Sequence, residues 1–77
     1  MPDVILVDET AAAWYAGRPR VTIRRWAHEG RIARYGSGRG KVRYNILELD
    51  MGVRDEETNA LIRPGKTPAL PAGARAA

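Results

Sequence analysis

Cysteine and phenylalanine are absent from the 77 residues, and histidine and serine each occur once. Without cysteine there is no disulfide framework, no thiol nucleophile and no cysteine-based zinc site. A lone histidine makes no metal cluster, and Ser37 has no histidine–acid pair around it, which excludes a hydrolytic triad. No apolar run approaches the roughly 20 residues that a membrane-spanning helix needs. Met1 to Leu6 contains an acid and a short apolar stretch, Val4 to Leu6, so it does not read as a secretory signal. A chain of this length holds one small domain with a modest core and no separate catalytic or ligand-sensing domain. These absences predict a soluble, cytoplasmic protein that is not an enzyme, uses no cofactor and has no membrane partner.

What is present is positive charge, unevenly spread. Thirteen Lys+Arg against nine Asp+Glu give a net charge of +4. Residues 1–16 carry Asp3, Asp8 and Glu9, for −3. Residues 17–43 carry Arg18, Arg20, Arg24, Arg25, Arg31, Arg34, Arg39, Lys41 and Arg43 against Glu29 alone, for +8. Residues 44–62 return to −4 and the last fifteen to +3. Charge runs commonly serve as solvated faces, but nine cations with one acid in 27 residues is the footprint of a nucleic-acid partner. Arginine outnumbers lysine 11 to 2. That suits bidentate contacts to phosphate and guanine, and it is equally the product of a GC-rich codon bias.

Along the chain, Asp8 is placed to cap a helix over residues 10–16, with Glu9 in its positive first turn and Val7 as a hydrophobic staple onto Ala12. Gly17 supplies the stop. A second helix fits residues 20–29, closed by Gly30. At about 100° per residue, Ile23, Trp26 and Ala27 share one face, Val21, Arg24, Arg25 and His28 the other, and Thr22 and Glu29 lie to one side. Residues 31–35 and 41–44 read as two strands of a β-hairpin around the tip Gly36-Ser37-Gly38-Arg39-Gly40. The tip is not a phosphate-binding loop: Val42 follows Gly40-Lys41 where Ser or Thr is needed, and Lys41 stands where G-x-G-x-x-G needs its last glycine. Asn45 can cap a third helix carrying Ile46, Leu47, Leu49 and Met51. A further short helix is expected over 53–62. From Arg63 onward, three Pro, two Gly and five Ala in fifteen residues predict a flexible tail that adds little stability.

The order helix, turn, helix, hairpin, helix resembles the small winged-helix domains of the MerR-like and phage excisionase-like superfamily. The resemblance covers roughly residues 5–51. It is carried by Ala12-Ala13, Gly17, Thr22-Ile23-Arg24-Arg25-Trp26, Glu29-Gly30-Arg31-Ile32, the glycine-rich tip at 36–40 and Arg43-Tyr44-Asn45-Ile46. Thr22 to Ile32 is the most specific part, because the family's second helix reads much like T-[VI]-R-x-W followed by a glycine turn and an aliphatic residue. Pro19 departs from the family's usual Ser or Thr cap. The polar stretch after Met51 offers no heptad pattern for a dimerisation helix, so metal or drug sensing is not carried over. The fold expected is mainly α with a small β-hairpin: a winged helix-turn-helix of three short helices plus a wing over residues 4–52, followed by the tail.

The resemblance implies that helix 20–29 enters the DNA major groove and that the wing, 32–44, meets the minor groove or its phosphates. Candidate contacts on the helix are Arg20, Val21, Thr22, Arg24, Arg25 and His28. On the wing they are Arg34, Ser37, Arg39, Lys41 and Arg43. Arg24 and Arg25 point about 100° apart, so one can read guanine O6 and N7 while the other clamps phosphate. The function expected is sequence-specific binding of double-stranded DNA as a small transcriptional regulator associated with the nucleoid. An excisionase-type factor that bends DNA is the alternative. An RNA-binding or protein-interaction module is the second alternative, and the RNA form is disfavoured because an α-helix cannot read the deep A-form major groove. Partners under this reading are DNA, further copies side by side on repeated sites, and a recombinase or RNA polymerase.

Overall fold

The computed structural model describes residues 4–70. Its elements run β1 (Leu6–Val7), α1 (Glu9–Ala16), α2 (Arg20–His28), β2 (Tyr44–Asn45), a single 3-10 turn (Ile46–Glu48), β3 (Val53–Arg54) and β4 (Leu61–Arg63). β1 pairs antiparallel with β2 and β3 antiparallel with β4, in two separate two-stranded sheets.

α1 begins where the sequence places its cap: Asp8 Oδ1 accepts from the Ala11 N–H at 2.8 Å. It ends at Gly17, whose φ of 66° lets its N–H reach the Trp14 carbonyl (3.2 Å) while the Arg18 N–H reaches that of Ala13 (3.0 Å). α2 closes the same way, Gly30 N–H onto Ala27 and Arg31 N–H onto Trp26. At its start Pro19 provides no side-chain cap, and the Pro19 carbonyl accepts from Thr22 (3.0 Å) and Ile23 (3.4 Å). Three alanines on α1, Ala12, Ala13 and Ala16, let α2 approach with Ile23 and Trp26. Ile32, Tyr44 and Leu49 complete the core, with Val7, Tyr15, Ala27 and Val42 packed at its edge.

The structure corrects the expected architecture in four places. Among the described residues there are two α-helices, not three, and no two-stranded wing. Residues 31–35 and 41–44 meet at one bridge only, Tyr35 with Arg43 (2.9 and 2.7 Å). Gly36, Gly38 and Gly40 all adopt positive φ, which breaks the extended backbone on both sides of the tip. Tyr44 and Asn45 pair instead with Val7 and Leu6. The buried Asn45 side chain strengthens that choice, its Oδ1 accepting from both Ile5 N–H (3.0 Å) and Leu47 N–H (3.1 Å).

The expected third helix is a single 3-10 turn, and the chain is extended again by Leu49. Continuing the helix would withhold the Gly52 N–H, which donates instead to the Tyr15 carbonyl of α1 (2.8 Å). Residues 53–62 form the β3–β4 hairpin rather than a helix. Its turn is built by Asp55, whose Oδ1 accepts from the N–H groups of Glu57 (2.8 Å) and Thr58 (3.0 Å), and by Asn59 at φ 62°. Those amides, Thr58 foremost, hold the Asp55 carboxyl below the usual carboxylate range.

The fourth correction concerns the tail. Residues 64–70 dock on the domain, and 71–77 lie outside the described residues. Gly65 is buried, its N–H donates to the Ala16 carbonyl (2.8 Å), and its carbonyl accepts from Arg18 Nε (3.1 Å) and Nη2 (2.6 Å). Lys66 N–H donates to Asp50 Oδ2 (2.7 Å), and Arg31 Nη1 donates to the Pro68 carbonyl (2.9 Å). A helix C-terminus leaves four carbonyls without intrahelical partners. On α1 all four are served: Ala13 by Arg18 N–H, Trp14 by Gly17 N–H and Arg54, Tyr15 by Gly52, and Ala16 by Gly65. The last of these donors, Gly65, comes from the segment that composition marks as dispensable.

Candidate nucleic-acid interface

α2 turns Val21, Arg24, Arg25 and His28 to the outside, as its periodicity predicts. Thr22 is the exception among the candidate contacts of α2: it is buried, at 8% exposure, and does not share the exposed face of the helix. Thr22 and Trp26 are one turn apart, only about 40° on the helix, so the face that buries Trp26 takes Thr22 with it. Arg20 stands exposed at the start of the helix.

The loop that follows supplies the second set. Arg34, Ser37, Arg39 and Lys41 are exposed; Arg43 is half-buried, its Nη1 donating to the carbonyls of Gly40 (3.1 Å) and Val42 (3.0 Å). The loop is anchored at its base by Glu48, which accepts from Ala33 N–H (2.7 Å) and the Tyr35 hydroxyl (3.3 Å). Arg24, His28 and Arg34 come together around a cleft of about 380 Å³ with Ala27, Val42 and Tyr44. Arg20 and Arg43 flank a second cleft of about 320 Å³. Ser37, Arg39 and Lys41 line neither cleft and stay at the tip.

The nine cations of the basic block therefore serve different ends. Arg18 and Arg31 face the C-terminal segment, Arg18 also lying 5.8 Å from the centre of the Trp26 ring. Arg20 and Arg24 pair with Glu9, at 2.8 and 3.3 Å. Arg25, Arg34, Arg39 and Lys41 make no ion pair or side-chain hydrogen bond among the described residues. Sequence reasoning placed Glu9 only in the first turn of α1 and did not connect it to α2. No local signal could have made that link, because it depends on how the two helices dock. Trp14, by contrast, is 55% exposed and carries the Arg54 guanidinium 4.2 Å above its ring, a rim position outside the basic face.

Tyr44 forms the buried floor of the first cleft. Burial raises its phenol above the ordinary value, with a further push from Glu9 and opposition from Arg34 and Arg24. A raised folded-state value means the neutral phenol stabilises the fold fully below the ordinary pKa of about 10, and that contribution is lost as pH climbs through the folded value. Thermal midpoints measured from neutral to strongly alkaline pH are therefore expected to fall more steeply for the wild type than for Tyr44→Phe. Parallel curves would show that the phenol is not linked to folding.

No protein-family model, curated protein or solved structure matches the chain. Among the described residues there is no group of acidic, histidine or cysteine side chains able to hold a metal ion, and no helix long and apolar enough to cross a membrane.

Proposed function

We propose that this protein binds double-stranded DNA in a sequence-specific manner, as a small transcriptional regulator. In this reading the outer face of α2 lies in the major groove and the loop over 34–43 lies on neighbouring phosphates or in the minor groove. The observation that carries it is the convergence of exposed Arg24 and His28 on α2 with exposed Arg34 from the loop around one cleft, beside an exposed Arg25. The two helices, joined by the tight Gly17-Arg18-Pro19 turn, support the same reading, as does the resemblance of residues 22–32 to MerR-like and excisionase-like recognition helices. α2 is about 14 Å long at 1.5 Å per residue, and its exposed side chains suit a major groove roughly 12 Å wide.

The test is the salt dependence of duplex binding. With about four to six phosphates neutralised, log K against log salt should fall with a slope near −4 to −5. A slope near zero would overturn the proposal. The same titration with an RNA duplex should give weaker binding at every salt, because the A-form major groove does not admit α2. Replacing Arg39 and Lys41 together by alanine should weaken all duplexes alike and make the slope shallower by about 2, as expected for two lost phosphate contacts. An unchanged slope would show that the loop tip stands away from the DNA.

A further inference from the structure

One carboxylate stands inside the cationic face. Glu9 opens α1, with its side chain only 20% exposed, and it lines both clefts. Its Oε1 accepts from Arg20 Nε at 2.8 Å and its Oε2 pairs with Arg24 Nε at 3.3 Å. Two adjacent arginines are thereby made unequal: Arg24 is anchored, and Arg25 has no such partner among the described residues.

The guanidinium carries five N–H donors in a fixed fork. Glu9 meets Arg24 at Nε, leaving the terminal nitrogens for an outside acceptor, and the Arg24 side chain is still 60% exposed. An anchored fork has less rotamer freedom to lose on binding, and it rewards only a ligand whose acceptors lie where it points. A base edge has such fixed acceptors; a phosphate can be met from many directions by a free arginine. Glu9 also repels any phosphate that approaches this face without engaging Arg24, which disfavours non-specific complexes.

We propose that Glu9 is a positioning residue for sequence specificity: it holds Arg24 as the base reader and leaves Arg25 as a phosphate contact. This rests on the DNA-binding reading above, and the experiment separates the two. A duplex recovered by selection from a random pool and a random duplex of equal length are titrated at matched salt. Wild type should prefer the selected duplex, and Arg24→Ala should remove about tenfold or more of that preference, whereas Arg25→Ala should weaken both duplexes equally. Glu9→Gln should tighten random-duplex binding by about threefold and cut the preference by about five- to tenfold. Glu9→Asp keeps the charge but shortens the reach, so it should leave random binding near wild type and still lower the preference. In the free protein, the Nε–Hε resonance of Arg24 should move to the position of an unpaired arginine in both Glu9 variants, while that of Arg25 stays put.

Failure of wild type to bind duplex overturns the DNA reading and this assignment with it. Preference that survives both Glu9 variants, or that is lost in Arg25→Ala rather than Arg24→Ala, overturns the assignment alone. Thermal unfolding of each variant checks folding. If Glu9→Gln does not fold, Glu9→Asp and the two arginine variants decide the outcome.

Discussion

Gly65→Ala is expected to lower the thermal midpoint by roughly 10–20 °C, although it adds a single methyl group to a segment outside every helix. A Cβ at Gly65 would overlap the Asp50 carbonyl oxygen and lie 2.7 Å from its carbon. These are backbone atoms, so no side-chain rotation relieves the clash, and the segment must lift away. Lifting it breaks the Gly65–Ala16 bond, the two Arg18 bonds to the Gly65 carbonyl and the Lys66–Asp50 bond. It also leaves the Ala16 carbonyl, on a buried residue of α1, without its donor. Losses of this kind together cost about 2–4 kcal/mol. Deleting residues 64–77 should cost a similar amount, because it removes the same contacts without the clash. The measurement is circular dichroism melting of wild type, Gly65→Ala and the truncated chain. Midpoints within a few degrees of one another would mean that the segment adds nothing to the fold, as its composition alone suggests.

Trp26→Ala should be more damaging still. Trp26 is 2% exposed and packs with Ile23 and the three alanines of α1, and the Arg18 guanidinium covers its ring from the side of the C-terminal segment. Truncating a buried tryptophan costs about 3–5 kcal/mol in transfer and cavity terms. A domain of this size has roughly 4–8 kcal/mol in total, so the variant is expected to lose most of its cooperative transition at ambient temperature. Trp14→Ala is the matched comparison. That ring is more than half exposed, and its loss costs the contact with Arg54, about 1 kcal/mol at such a site. The two single-tryptophan proteins also report on the assignment directly: the one retaining Trp26 should emit at shorter wavelength than the one retaining Trp14. A greater loss of stability in Trp14→Ala would reverse the assignment of core and rim.

The two variants divide along the line between what is local in this chain and what is not. Trp26 and Ile23 as core, Arg24, Arg25 and His28 as the outer face, and Asp8, Gly17 and Gly30 as helix boundaries were all legible in the residues. Their physics acts over three or four positions: a cap bonds an N–H three residues on, and a helix face repeats every turn. Thr22 shows the limit of that reading, since one turn of periodicity places it near Trp26 while its polarity suggests the surface.

The strands were not legible, because strands of two or three residues carry too little alternation to declare a partner. Tyr44 chose Val7, 37 positions away, over the nearer residues that the glycine tip was expected to bring back. Glycine and proline from Arg63 onward read as a tail, and a composition of that kind usually has no core to join. Here Gly52 and Gly65 meet α1 because its C-terminal carbonyls need donors, and at Gly65 a side chain would run into the Asp50 backbone. Glu9 likewise acquires Arg20 and Arg24 only when α1 and α2 dock. Helix ends and faces are written in neighbouring residues; strand partners, the closure of α1 and the anchoring of Arg24 are set by groups that are distant in the chain and meet only after the core has formed.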